Sequence, residues 1–258
     1  MNRDRKSTVN SVLRACRILE LFSTVSPELS LSEVAVRTGL SRPTAHRLLS
    51  TLELAGWVVR SSTGKYRITM RLFSIGASAW EIGSLREAAR PVLRKLADLS
   101  ANTAYLLVPY EGQALCAERV EAHHPIRVHS VSVGDRIPLW SGAAPTAMLA
   151  FRPDLLELAL GSGELDAAAR ARLEKRLSEA RRNGVVISPD DLLPGVTAVG
   201  APVFDASGNA VAGMSVAGVS EWVAPHLERV VELVVGAAAE LSGLLGYNPG
   251  RTKDDIGD

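Results

Sequence analysis

Residues 29–69 read LSLSEVAVRTGLSRPTAHRLLSTLELAGWVVRSSTGKYRIT. Two helical patterns that meet at Gly39 precede two strand patterns separated by Ser61-Ser62-Thr63-Gly64. In the first helical pattern, Leu31 to Thr38, the residues Leu31, Val34 and Ala35 make one apolar side. Gly39 suits a sharp turn with positive φ. Ser41 is placed to cap the second helix by accepting an orphan backbone N–H, and Pro43 is tolerated in its first turn. Ala45, Leu48, Leu49 and Leu52 recur at helical spacing and dock that helix. Arg42, Pro43, Thr44, His46, Arg47 and Ser50 lie away from this side. A helix held by one face, with short donors on the other, is how base edges are read in a major groove. Trp57 to Val59 and Tyr66 to Thr69 read as the two strands of a wing. Arg60, Lys65 and Arg67 flank its tip, where they can reach phosphates or a minor groove. The order of elements predicts a winged helix-turn-helix that takes double-stranded operator DNA. Its DNA contacts are expected from Ser41, Arg42, Pro43, Thr44, His46, Arg47, Ser50 and Lys65. The bland alternative is a helical hairpin with a cationic, solvated face.

The chain is long enough, at 258 residues, for a small and a medium domain. A hydrophobic content of 47% and a charged content of 22% are ordinary for a globular protein. No apolar run approaches the roughly 18 residues of a membrane span. The N-terminus, MNRDRKSTVN, lacks the apolar segment of a secretory signal. Cys16 and Cys116 have no metal-ligand spacing, so a reduced cytoplasmic protein is expected, with no membrane partner and no cofactor. The net charge of +1 conceals an asymmetry: residues 1–83 carry 12 Lys/Arg against 6 Asp/Glu, and the remainder carries 17 against 22. A basic small module on an acidic larger one fits a polyanion met only by the first third.

The expected domains are a winged helix-turn-helix over 9–69, a linker helix over 70–83 and a larger domain over 84–247. Val9 to Ser23 reads as a helix that packs beneath the recognition helix and turns part of its surface to a partner subunit. Met70 to Gly83 and Leu85 to Ser100 read as helices. Ala104 to Pro109, Ala114 to Glu121 and Ile126 to Val131 read as strands, with Glu111-Gly112 as a hairpin turn. Ser141 to Phe151, Leu155 to Leu160 and Ala167 to Asn183 are helical, and Gly184 ends the last of these. Val196 to Phe204 and Ala210 to Val219 are strands, and Pro225 to Leu245 closes the chain as a helix. Such an order predicts an α+β fold: an antiparallel sheet with helices around it and a cup for a small ligand.

From about Val9 to Leu245 the chain resembles the IclR family of bacterial transcription regulators. The N-terminal part of the resemblance runs from Gly39 through Arg42, Pro43, Thr44 and Arg47 to Leu49. The C-terminal part is carried by Gly184, Ser188, Asp191, Ala198-Val199-Gly200 and Val203-Phe204-Asp205, which reproduce the family signature at every spacing, with Asp191 where Glu is usual. Asp135 to Leu139, followed by Ala143, Ala144 and Ala147, also resembles the family, but Trp140 stands where His is common and Pro145-Thr146 replaces a Gly-Lys or Gly-Arg pair. The resemblance implies a GAF-like effector domain, DNA-binding dimers and often dimers of dimers. It also implies a small organic acid effector, aromatic acids included, with contacts at Ala143, Ala144, Ser188, Val196, Ala198, Ser215 and Ala217; Leu139 and Trp140 are expected at the mouth of the site. Backbone N–H groups at the start of the Ser141–Phe151 helix and the hydroxyls of Ser188 and Ser215 would take the polar end. Arg127 or Arg136 would neutralise the carboxylate if turned inward, and ordinary core packing is the alternative for the wall residues.

Two other readings remain open. One is an oligomeric DNA-binding protein with no small-molecule effector. The other is an enzyme or metal site built on Cys116, His123, His124 and His129. Against the latter, Cys116 sits inside a strand pattern, and no phosphate-cradling glycine motif, GxSxG or HExxH is present.

Overall fold

Ile18, Val34, Ala45 and Leu49 are completely buried, and they come from three helices: α1 (Asn10–Leu19), α2 (Leu31–Thr38) and α3 (Arg42–Leu54). In this computed structural model residues 9–22, 26–76, 80–123, 128–161, 163 and 165–249 are described. The chain divides into two compact units, Met1–Trp80 and Glu81–Asp258. In the first unit a capping box starts α2: Ser30 N–H donates to Glu33 Oε2 at 2.8 Å and Ser30 Oγ accepts the Glu33 N–H at 3.3 Å. Gly39 ends α2 in the left-handed conformation, at φ +67°, as its position demands. Ser41 occupies the N-cap of α3, but its hydroxyl pairs with the Thr44 hydroxyl at 2.8 Å and caps no backbone N–H. The neighbouring hydroxyl takes the place of the amide expected as its partner, one of the local side-chain bonds that compete with capping.

The strands β1 (Val58–Arg60) and β2 (Tyr66–Ile68) pair antiparallel, with Val58 opposite Ile68 and Arg60 opposite Tyr66. Their tip is closed by Ser61 N–H to the Lys65 carbonyl at 2.7 Å. Leu29 bridges to Tyr66 and ties the entry of α2 to the wing. The helix α4 (Met70–Gly76) follows. The expected helix Met70–Gly83 falls partly outside the described residues, at 77–79, and its last residues belong to the next helix. The first helix is shorter than the expected Val9–Ser23, and Val12 and Leu13 on it are 57% and 45% exposed.

The second unit contains α5 (Trp80–Ser100), β3 (Thr103–Tyr110), β4 (Gln113–Val120), β5 (Arg136–Pro138), α6 (Ala143–Leu149), α7 (Pro153–Gly161), α8 (Ala167–Asn183), β6 (Val186–Pro189), β7 (Val196–Phe204), β8 (Ala210–Val219), α9 (Ser220–Val223) and α10 (Leu227–Leu244). Six strands form an antiparallel sheet in the order β5-β4-β3-β8-β7-β6. Alternation along β3 assigns its two faces. Ala104, Leu106 and Val108 pack with Leu93 and Leu96 of α5 and with Val234 and Leu241 of α10. Tyr105 and Leu107 pack with α6, with Leu155 of α7 and with Leu173 and Leu177 of α8. The fold is therefore α+β, as expected from the order of elements.

Two strands escaped the sequence reading. β5 has three residues, too few to show a period of two, and β6 ends in Ser188-Pro189, where a turn is the easier reading. Conversely, residues 128–131 of the expected strand Ile126–Val131 are not a strand, and Ile126 and Arg127 lie outside the described residues. β5 takes that edge of β4 instead, with Gln113 opposite Pro138. Val128 serves the sheet otherwise: its carbonyl accepts the Tyr105 hydroxyl at 3.0 Å.

Candidate functional site

On α3 the side chains of Ala45, Leu49 and Leu52 are buried. Arg42, Pro43, His46 and Arg47 are exposed, Thr44 and Ser50 are half-buried, and Ser41 and Lys65 are exposed at the helix entry and on the wing. The eight nominated residues thus line one helix and one turn of the same unit. Leu48 differs from its expected place in the core: it is half-buried and lines a groove between α1 and α3 of about 670 Å³, with Val12, Ala15 and Leu19 on the facing helix. Arg47 and Thr44 border this groove as well. Arg60 is held within the wing, its Nε donating to the Gly64 carbonyl at 3.3 Å while its guanidinium lies 5.8 Å from the Tyr66 ring centre.

In the second unit the strand register brings distant positions into rows. Ser188, Ala198, Ala217 and Thr103 stand side by side across β6, β7, β8 and β3. The next row holds Gly200, Ser215, Tyr105 and Arg119. Ser188, Ser215 and Ala217 are buried, whereas Val196, Ala198 and Trp140 are partly buried and pack against the α6-side core. Leu139, Ala143 and Ala144 belong to that core outright. The start of α6 lies flush on the sheet. A Cβ on Gly200 would stand 2.6 Å from the Ala143 carbonyl carbon and from the Ala144 nitrogen, and one on Gly213 would collide with the Ala144 carbonyl oxygen. Thr146 is completely buried, and its hydroxyl donates to the Gly142 carbonyl at 2.7 Å. That bond gives a role to one residue of the Pro145-Thr146 departure.

The polar groups at the entry of α6 already have a partner within the chain. Asp191 Oδ2 accepts the Gly142 N–H at 2.8 Å, the Ser188 hydroxyl at 2.7 Å and Arg176 Nη2 at 3.0 Å. Arg176 Nη2 also reaches Ser188 Oγ at 3.1 Å. Burial by itself pushes the Asp191 carboxyl up, but the bonds from Ser188 and Gly142 and the Arg176 charge outweigh it and hold the carboxyl below its ordinary pKa. Arg176 carries no signal in the sequence: the spacing from Arg176 to Asp191 is not local, and the turn after Gly184 brings them together. Arg136 does not turn inward: it pairs with Glu111 at 3.4 Å and lies 4.6 Å from the Tyr110 ring centre. Arg127 and His124 lie outside the described residues. Cys116 is buried, and burial pushes its thiol up to about 12. Among the described residues there is no cluster of three His, Cys, Asp or Glu side chains able to hold a metal ion. No described helix is long and apolar enough to cross a membrane.

Residues 11–62 match the IclR helix-turn-helix domain, and residues 79–243 match the bacterial transcriptional regulator IclR C-terminal domain. The HTH-type transcriptional regulator KipR of Bacillus subtilis is 28% identical over 92% of this chain and 97% of its own. The HTH-type transcriptional regulator BhcR of Paracoccus denitrificans is 31% identical over 91% of this chain and 86% of its own. In fold the chain is similar to an IclR homologue from Microbacterium hydrocarbonoxydans solved in complex with 4-hydroxybenzoate (TM-score 0.79, 24% identity, 91% of this chain and 98% of that one). With its helix-turn-helix domain and its C-terminal domain both matched, the chain belongs to the IclR family of DNA-binding transcriptional regulators.

Proposed function

We propose that the chain is an effector-responsive regulator in which residues 9–69 read operator DNA, 70–83 link, and 84–247 bind a small organic acid and assemble the oligomer. Ser41, Arg42, Pro43, Thr44, His46, Arg47, Ser50 and Lys65 contact the operator. Leu139, Trp140, Ala143, Ala144, Ser188, Val196, Ala198, Ser215 and Ala217 surround the effector, and the apolar character of Trp140, Ala198 and Ala217 favours an aromatic acid. The observation that carries this reading is the row of small side chains at Ala198 and Ala217 beside Ser188 and Ser215 on one sheet face. The 4-hydroxybenzoate in a solved structure of like fold supports the ligand class. The protein acts in the cytoplasm, as a repressor or an activator, and as a homodimer or a dimer of dimers, because two half-sites related by symmetry give a winged helix its specificity. Ligand favours one arrangement of the oligomer, and a coupling of about 1–3 kcal/mol changes operator affinity roughly five- to 150-fold.

A second reading, a DNA-binding oligomer without an effector, is favoured by one observation: Gly142 N–H and the Ser188 hydroxyl already donate to Asp191. Titration decides between them. Retardation of an operator selected from random duplexes is measured with and without benzoate, 4-hydroxybenzoate and pyruvate. A response to at least one acid, removed by Ala198→Leu, supports the effector reading; operator binding indifferent to all three, with no heat of binding, sinks it.

A further inference from the structure

Two buried polar groups of the second unit have no hydrogen-bond partner among the described residues: Thr103 Oγ1 and Arg119 Nη1. They lie on the sheet face that carries Ser215 and Ala217. Thr103 stands opposite Ala217, and Tyr105 stands between Ser215 and Arg119. Residues directly opposite on antiparallel strands point to the same side. Tyr105 and Ala217 belong to the core on the α6 side, whereas Ala104 and Val120, the next pair along, belong to the core on the α5 and α10 side. Thr103 and Arg119 are diagonal neighbours across β3 and β4, about 7–8 Å apart along the backbone, within reach of one small group.

Burying a hydroxyl without a partner is costly, and burying a guanidinium N–H without one is costlier, because the charge has lost its water. Thr103 is only 2% exposed. The other arm of Arg119 is anchored: Nη2 holds Glu121 Oε1 at 3.0 Å, which fixes the guanidinium plane and leaves Nη1 directed elsewhere. Glu121 Oε1 is also 3.8 Å from His129 Nε2. The other arginines near this face are engaged, Arg136 with Glu111 and Arg176 with Asp191. A group that satisfies both orphans offers acceptor oxygens a short distance apart, and negative charge strengthens the bond it accepts from the guanidinium. A carboxylate does so in a single planar unit.

We propose that Arg119 and Thr103 hold the carboxylate of the effector, Arg119 Nη1 donating to one oxygen and Thr103 Oγ1 to the other, with the apolar body of the acid lying over Ala217 towards Ala198. From Thr103 to Ala198 is two strand spacings, roughly 10 Å, a span that matches the length of an aromatic acid. The inference rests on the reading that this unit binds an organic acid. It moves the charged end of the ligand to β3 and β4, away from Arg127 and Arg136 and from the donors that Asp191 occupies.

Calorimetry on the full chain tests it, with benzoate, 4-hydroxybenzoate and pyruvate as acids and 4-hydroxybenzamide as the neutral analogue. The wild type is expected to bind at least one acid and to bind the amide at least tenfold more weakly. Arg119→Gln should weaken the acid tenfold or more, and Arg119→Lys less. Thr103→Val should weaken the acid severalfold and yet raise the thermal midpoint of the ligand-free chain, since a methyl of the same shape replaces an unpaired hydroxyl. A merely structural threonine would not move the two readouts in opposite directions. If Arg119→Gln does not fold, Arg119→Lys and Thr103→Val carry the test. Acid binding that survives Arg119→Gln but is lost in Ala198→Leu overturns the anchor and leaves the effector reading standing. A wild type that binds none of the acids overturns both.

Discussion

Asp191 and Gly142 are joined by a hydrogen bond of 2.8 Å across 49 residues of chain, from the Gly142 N–H to Asp191 Oδ2. Gly142 enters α6 at φ +79°, and the same carboxylate oxygen receives Ser188 and Arg176. The family signature position that holds Asp here is thus a clasp between the β6–β7 connection and the start of α6. Asp191→Ala removes the shared acceptor and leaves three donors, the Gly142 N–H, the Ser188 hydroxyl and Arg176, to find water or one another's acceptor atoms, of which only Ser188 Oγ offers one. Such a loss costs about 1–3 kcal/mol, to be read as a lower urea midpoint of the second unit's transition. An unchanged midpoint would show that the clasp adds nothing to stability.

The same group sets an acid limb. Its folded carboxyl is depressed below an unfolded value of about 3.9, with burial opposing and the Ser188, Gly142 and Arg176 contacts prevailing. The unfolded state therefore takes up its proton first as pH falls. The contribution of Asp191 is fully present above about pH 4 and is lost as pH drops through the depressed folded value. Asp191→Asn should flatten that part of the stability–pH curve below pH 4 and leave its shape near neutrality alone.

Gly213→Ala should be among the most damaging single changes in the second unit. Its Cβ would meet the Ala144 carbonyl oxygen, a backbone atom that cannot swing aside. Overpacking of this kind costs about 1–3 kcal/mol, and more where backbone must move. Gly161→Ala, with nothing within 4 Å of its Cβ, is the control. Equal thermal midpoints for the two variants would refute the close packing of α6 on the sheet.

The two thiols should separate cleanly. Cys16 is exposed on α1, and Cys116 is buried with its thiol pushed up to about 12. A disulfide reagent at neutral pH should leave Cys116 untouched in the native protein and modify it in urea, because only a thiolate within reach of solvent reacts. Two fast equivalents without urea would contradict the burial of β4.

We propose that α1 adds a subunit contact to the assembly made by residues 84–247, and added charge tests it. Val9, Val12 and Leu13 are 61%, 57% and 45% exposed, more apolar surface than a free helix face needs. Val12→Glu with Leu13→Glu should lower the mass measured by light scattering and weaken operator binding together. A variant of unchanged mass would move the interface elsewhere.

The sequence by itself determined the local pieces. Gly39, Pro43 and the spacing of Ala45, Leu49 and Leu52 settled the helix-turn-helix, because caps, turns and amphipathic faces are written within a few residues. Apolar runs such as Ala104–Pro109 and Ala210–Val219 declared themselves as strands for the same reason. What only the tertiary structure decided is register and partnership. β5 and β6 exist because a neighbouring strand completes their hydrogen bonds, not because three or four residues prefer that state. Arg119 reads in sequence as one more charge in a strand, and Asp191 as a variant of a signature residue. Sheet pairing puts Arg119 beside Tyr105, and the return of the chain after Gly184 puts Asp191 against Gly142. Contacts between residues tens of positions apart leave no periodicity to read, and so these pairings became visible only once the chain was folded.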